Sequence, residues 1–585
     1  MKKTISKLTL IASQVADHQR VRGRNDGLVT LQLAWIAAAL AHARLKASES
    51  STRALDEWQT WLTLQLDYGL PAEAGKVVWR DGSEKPSAEI RAIALAIEKL
   101  SIDVTAVTGD PLDLLASERG NEGFFTLHTW VAELCAELGD VDPGEAVLCP
   151  QDESGQLATT LGRKGARVYM RDMGERFGIR TTLLHAIDQQ LGRDWELIRF
   201  TSMRELTESP TIVGTFPFGL KNYNPTFFFG SDAELVAKSF DRKAPSEVVA
   251  LTYLTGLPSR RLILLAPQVS LFGGGQHGRV RRDLIDAHRV KSAAVLPQGS
   301  LLSTRLQPAL LVIEPDGCDQ ITLTDWDDLV LAPGQPEPST EVEPPRSWSD
   351  IVLGSEQHPS AEIVGQDEVA ELGYILNAKR VRMSRRLDGA LPLRNWFEAI
   401  RPPVADKTVR YEVPEIGIPE LTFDRWTAVM PGQKTARVSP DRVSRHTLQP
   451  NDVVLSTKGT IGKAAIVADE LGQPAVCSTS CIALRCQSGD AADMAAMLLM
   501  FLRTDLGRDQ LDALASGATI QQVPLNTLLN EFRIPAFPAQ LLARCSEKLE
   551  ELRHIEDEIA KLETHLTAVA KDAWPAEHHH QNNEN

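Results

Sequence analysis

Apolar positions keep a helical rhythm over the first part of the chain and then change to short runs. Leu28, Leu31, Trp35 and Leu40, with alanines between them, fall on successive turns of one helix face, and residues 89–100 form a second amphipathic stretch. This spacing predicts a helical N-terminal domain over 1–119, packed as a bundle on its neighbour. From residue 146 strand-like, mostly apolar stretches appear at 146–150, 166–170, 211–213, 260–267 (after the pair Arg260-Arg261), 293–297 and 309–313, separated by stretches of helical length. Such runs read as buried strands of a mostly parallel sheet with helices on both faces, an α/β domain over 120–330.

The rest of the chain is patterned differently. Pro333, Pro336, Pro338, Pro344 and Pro345, with acids between them, mark a linker or edge segment. Lys379, Arg380, Arg382, Arg385 and Arg386 follow, and 331–390 reads as a linker with a basic helix. That cluster is either a solvated helix face or a contact for a phosphate backbone. An α+β domain is expected over 391–540. Beyond it, Cys545, Leu549, Leu552, Ile559, Leu562, Leu566 and Val569 repeat at threes and fours, a heptad seam on a spacer helix within 541–585. The tail from His578 is polar, and its histidines need not form a metal site.

Composition narrows the functional classes. No run of about 18 apolar residues occurs, so no membrane span is expected. The start Met1-Lys2-Lys3-Thr4 lacks the apolar core of a signal peptide, and the scattered cysteines, without zinc-site spacing, suit a reduced cytoplasmic protein. A net charge of −16 argues against a nonspecific nucleic-acid binder. Any contact with DNA must come from local basic patches.

Candidate chemistry centres on Thr215-Phe216-Pro217-Phe218-Gly219, which follows the run 211–213 after Gly214. Ligands of open α/β sheets bind beyond the carboxyl ends of the strands. The stretch resembles the Asn-Pro-Pro-Phe motif of N6-adenine DNA methyltransferases, with Thr215 for Asn and Phe216 for the first Pro, while Pro217 and Phe218 match. The resemblance implies that Thr215, Phe216, Pro217 and Phe218 stand at the catalytic position, where the family's Asn and a backbone carbonyl accept hydrogen bonds from the adenine amine and the aromatic ring stacks on a flipped base. Gly123-Phe124-Phe125-Thr126-Leu127 resembles the family's Gly-x-Phe/Tyr-Thr-Pro element, which touches the cofactor S-adenosylmethionine through the equivalents of Phe125 and Thr126. Cys149-Pro150-Gln151-Asp152-Glu153-Ser154-Gly155-Gln156-Leu157 is similar to the cofactor loop, an acid, Pro, two small residues, then Gly-Ser-Gly-Gly-Phe. Pro150, Ser154 and Gly155 are retained, but Cys149 replaces the acid and Glu153 the first glycine. A carboxylate at Glu153 would face that of the cofactor's methionine moiety, and like charges in a narrow cleft repel. Asp172, after the second strand, is placed either to bind the ribose hydroxyls or to cap a helix. The order of strand, Leu271-Phe272-Gly273-Gly274-Gly275 loop, Arg281-to-Ile285 helix, Leu296-Pro297 and closing strand 309–313 is similar to the second half of such enzymes, as in modification subunits of type I restriction systems. Their helical N-terminal region corresponds to 1–119.

A second resemblance covers 391–571. Asn451-Asp452-Val453-Val454-Leu455, then Lys458-Gly459-Thr460-Ile461-Gly462-Lys463, Ser516-Gly517-Ala518-Thr519-Ile520-Gln521 and Ile534-Pro535 resemble, in order, the signature elements of target-recognition domains in type I specificity subunits. Lys434, Arg437, Arg442, Arg445, Lys458 and Lys463, against Asp441 and Asp452, make this region locally basic and are the expected DNA-binding residues. In that family the C-terminal helices join half-sites or dock modification subunits. The overall expectation is a Rossmann-like methyltransferase sheet between a helical N-terminal domain and an α+β target-recognition domain with a long C-terminal helix. Its expected function is to recognise double-stranded DNA as a subunit of a restriction–modification-like or anti-phage system, with protein partners or self-association through 541–571 and with methyl transfer lost. An active, site-specific N6-adenine methyltransferase using S-adenosylmethionine is the alternative.

Overall fold

A computed structural model describes residues 7–20, 28–47, 100, 107, 109–115, 125–150, 152, 154–171, 179–200, 209–215, 218–220, 244–302, 304, 306–332, 335–339, 347–404, 411–421, 428–516 and 520–573. The chain forms two compact units, Met1–Val381 and Arg382–Asn585. Among the described residues no helix is long and apolar enough to cross a membrane.

The first unit is organised by a nine-stranded sheet. Its strands are β1 (Ala146–Leu148), β2 (Arg167–Arg171), β3 (Glu196–Phe200), β4 (Thr211–Thr215), β5 (Leu262–Pro267), β6 (Val290–Val295), β7 (Pro308–Ile313), β8 (Gln320–Asp325) and β9 (Ala361–Gly365), in the order β3-β2-β1-β4-β5-β7-β6-β8-β9. The first five run parallel. β7 returns antiparallel between β5 and β6, while β8 is parallel to β6 and β9 antiparallel to β8. The run 309–313 is therefore an inserted antiparallel strand, and the sheet continues two strands beyond β6.

Both faces are covered at the central strands β1, β5 and β7, which is why these read as unbroken apolar runs. Along β5, Leu262, Leu264 and Ala266 enter one core and Ile263 and Leu265 the other, the period of two that a strand imposes. Helices α6 (Ser246–Thr255) and α7 (Gly275–Asp286) build the first face, and α3 (Thr129–Gly139) and α4 (Gln156–Arg163) the second. At the N-terminus, α1 (Lys7–Arg20) and α2 (Leu28–Ala47) share a core with α5 (Ile179–Gln190) through Leu183, Leu184 and Ile187. Residues 33–37 of α2 are buried on every side, so α2 is a central helix and not an amphipathic one. The stretch 89–99 lies outside the described residues.

The second unit holds a five-stranded sheet, β10-β17-β14-β15-β12, and a three-stranded one, β13-β11-β16. Their ranges are β10 (Phe397–Ile400), β11 (Glu412–Ile416), β12 (Ala428–Val429), β13 (Thr435–Arg437), β14 (Val453–Ser456), β15 (Ala464–Val467), β16 (Val476–Cys477) and β17 (Cys481–Cys486). The division between the units falls within helix α8 (Ala378–Arg386). Helix α9 (Ala491–Arg503) covers the larger sheet, and α10 (Ala539–Ala573) packs its first turns on α9.

Several cations of the basic cluster on α8 have partners within the fold. Lys379 pairs with Asp327 and Asp328, Arg380 is buried with its guanidinium 3.9 Å over the Phe272 ring, and Arg386 pairs with Asp509 at 3.2 Å. Lys379, Arg380 and Arg386 are thus engaged by neighbouring carboxylates and an aromatic face, while Arg385 and Arg386 lie exposed at the end of the helix.

Candidate functional site

The carboxyl ends of β1, β4 and β5 lie side by side in the sheet, and the sequence-marked loops leave from two of them. Thr215 ends β4, buried and in register with Leu265 of β5. Phe216 and Pro217 lie outside the described residues. Phe218 reappears half-buried, with its ring centroid 4.7 Å from that of Phe125 and the planes tilted by 37°. One residue expected to touch the cofactor and one expected to stack on a base thus stack on each other. The turn after Phe218 is fixed by α6. The Gly219 amide donates to the buried Glu247 carboxylate at 2.7 Å, and the Leu220 amide donates to Ser246 Oγ at 3.2 Å. His277, in the first turn of α7, approaches Glu247 to 3.4 Å. Burial depresses the His277 pKa, with Arg281 acting in the same direction and Glu247 against it.

The loop after β1 is built around Asp152. Pro150 is buried, and its ring sits so near β4 that a Cβ on Gly214 would come within 3.2 Å of it. Asp152 Oδ1 accepts from the Gly155 amide at 3.0 Å and from Ser154 Oγ at 2.9 Å, while Oδ2 accepts from the Ala158 amide at 2.9 Å. A carboxylate of the chain therefore satisfies amide donors that a helix start otherwise presents to a ligand anion. Burial raises the Asp152 pKa despite these bonds, and burial together with Asp152 pushes the Cys149 thiol well above its usual range. Gly155 has φ +73°, and a Cβ there would meet the Thr181 amide nitrogen at 2.9 Å, so only glycine fits against α5. Gln156, in place of the family pattern's last glycine, clamps the other element. Its Oε1 accepts from the Leu127 amide and its Nε2 donates to the Leu127 carbonyl, both at 2.7 Å. Thr126 is buried, and its carbonyl accepts from the Leu302 amide at 2.8 Å. Glu153 and Asp172 lie outside the described residues.

Phe125, Thr126, Pro150, Gly155, Thr215 and Phe218 thus belong to one end of one sheet. The residues missed by sequence reasoning are Asp152, Gln156, Glu247 and His277. Asp152 carried a readable signal, an acid placed just ahead of a helix start. Glu247 and His277 carried none, because their meeting depends on α6 and α7 packing together.

In the second unit the expected DNA-binding residues occupy three places. Lys434 precedes β13 and pairs with Glu415 at 3.2 Å, and Arg437 pairs across the strands with Glu412 at 3.1 Å. Arg445 is exposed on helix Pro440–His446, where the side chain of Arg442 lies outside the described residues. Lys458 and Lys463 flank the loop between β14 and β15, Lys458 exposed and Lys463 half-buried. That loop meets the distant Ser516–Gln522 element, with the Gly459 amide donating to the Gln521 carbonyl at 2.9 Å and Lys458 bridged to Gln522. Two motifs far apart in sequence are therefore one structural feature.

No family model matches the chain, and no curated protein matches it. Solved structures do. The type IIL restriction–modification enzyme MmeI, determined in complex with DNA, aligns with a TM-score of 0.52 at 9% identity over 98% of this chain and 92% of its own. The type IIG restriction endonuclease BpuSI aligns at 0.46 and 13% over 92% and 74%, and a type I methyltransferase subunit from Streptococcus thermophilus at 0.43 and 13% over 64% and 98%. The chain shares the fold of MmeI, and its first unit is a Rossmann-like, mostly parallel sheet, with added sheets and a long C-terminal helix in the second.

Proposed function

We propose that this chain is the DNA-recognising subunit of a restriction–modification-like or anti-phage defence system in the cytoplasm, built on an N6-adenine methyltransferase fold that no longer transfers methyl groups. The observation that carries the loss of transfer is Asp152, whose carboxylate fills the amides of the loop where a cofactor anion would lie. Gln156 and the Phe125–Phe218 stack support the same reading, since both spend on internal contacts the groups a cofactor or base would use. S-adenosylmethionine does not fit the loop as these residues stand. At the catalytic position the Thr215 hydroxyl is shorter than an Asn amide, and removing one positioned polar group costs on the order of 100-fold to 1,000-fold in rate.

DNA recognition rests on the target-recognition motifs and the local cations, with Lys458 on the loop joined to 516–522 as the exposed candidate for a backbone contact. Titration of S-adenosylmethionine into the full chain by calorimetry tests the loss of transfer. No heat of binding is expected at sub-millimolar ligand. Micromolar binding together with methyl transfer to adenine would establish the alternative, an active N6-adenine methyltransferase with a variant motif.

A further inference from the structure

Helix α10 changes character along its length. Leu542, Cys545 and Leu549 pack into the core shared with α9, and Ser546 bonds Asp493 of that helix. The expected seam is thus partly spent inside its own unit. Beyond Leu549, Ile555, Ile559, Leu562, Leu566 and Val569 are all exposed, Leu562 by 67% and Leu566 by 72%. Their spacing of four, three, four and three is an a/d seam, with Ile559 and Leu566 at a positions. A lone helical stretch of this length is marginal in water and is stabilised by covering such a seam.

The charges beside the seam indicate what covers it. In this register the flanking e and g positions hold Glu551, Glu556, Glu558, Glu563 and Asp572 beside His565 and Ala570, and between 551 and 572 no Lys or Arg occupies them. Arg553, Lys561 and Lys571 stand at b, c and f positions, away from the seam. Glu551 and Glu558 meet Lys548 and His554 along their own helix, in exposed pairs of the kind that contribute little. In a parallel pair of two copies, Glu558 would face Glu563, and in an antiparallel pair g would face g and e face e, mostly acid against acid with no Lys or Arg to answer it. Charges at these positions set partner choice.

We propose that the exposed half of α10 docks a helix of another protein, one with an apolar seam flanked by Lys and Arg, and that its acidic flanks exclude a second copy of this chain. Docking at this seam is independent of the fate of the methyltransferase site. Two labelled helical peptides with the same Leu seam, one with Lys and one with Glu at every e and g position, are titrated into the full chain and followed by fluorescence anisotropy. The Lys-flanked peptide is expected to bind at least about tenfold more tightly, and less so as salt shortens the reach of charge. The triple variant E556K/E558K/E563K should reverse the ranking. L562D/L566D makes the chain still more acidic and should nevertheless abolish binding. Retained binding of the Lys peptide by L562D/L566D would mean general charge attraction and overturn the proposal. Equal binding of the two peptides, or binding of neither, would overturn it as well. So would a dimeric mass in light scattering for the wild-type chain that falls to one chain in L562D/L566D.

Discussion

Phe218 is the residue at which recognition of a base and filling of a core compete. Its ring lies on Phe125 and against the core that α3 and α4 share with the sheet. A buried aromatic contributes through burial and through its tilted partner. Phe218→Ala is expected to destabilise the first unit by about 2 kcal/mol, below the cost for a fully buried ring because this one is half-buried. Chemical denaturation measures this. An unchanged midpoint with weakened DNA binding would instead mean a ring that stacks on a base. Asp325, at the carboxyl end of β8, gives a second test. Burial, reinforced by the neighbouring Asp327, raises its pKa to about 7. The folded state then holds a proton there that the unfolded chain has released, so this group's contribution to stability falls as pH rises from the ordinary carboxylate range to about 7 and is level above that. Asp325→Asn should flatten that slope and raise the melting temperature at pH 8 relative to wild type. A variant whose pH profile of melting overlays the wild-type curve would refute the assignment.

At the scale of elements, the fold was legible where one physical rule governs a stretch. The central strands of the main sheet are apolar on consecutive positions because both faces are covered there, and the runs at 146–150 and 262–267 therefore stood out. Strand order was not legible in them. Nothing in 309–313 says that it runs antiparallel between β5 and β6, since the pairing is decided by partners far away in sequence. The heptad of α10 shows the converse. Periodicity located the seam, but its division into a packed half and an exposed half depends on where α9 lies. The site was legible as a place and not as an arrangement. Thr215, Pro150 and Gly155 could be put at the sheet's edge from sequence, whereas Gln156 gripping Leu127, and Glu247 holding Gly219, needed the packed structure.

At the scale of the whole molecule, a protein of net charge −16 meets a polyanion only through a local field, and the second unit shows how tightly that field is held in check. Arg437 is bonded to Glu412 and holds that carboxyl below its ordinary pKa, and Lys434 is paired with Glu415. Both cations lie largely in solvent, where such pairs contribute little and salt screens them. On the proposed function, a DNA phosphate would displace either carboxylate, and the glutamates would compete for the same cations. Two opposite changes in one assay separate this arrangement from a merely structural one. Lys434→Gln with Arg437→Gln should weaken duplex binding and reduce the log–log salt slope by about two, one for each phosphate that is no longer neutralised. Glu412→Gln with Glu415→Gln should tighten binding and steepen the slope, because the cations enter the encounter without partners to give up. Fluorescence anisotropy over a salt series measures both. If the Gln pair at 412 and 415 leaves affinity unchanged while that at 434 and 437 also binds like wild type, this face does not contact DNA, and recognition must be sought at Lys458 and the loop joined to 516–522.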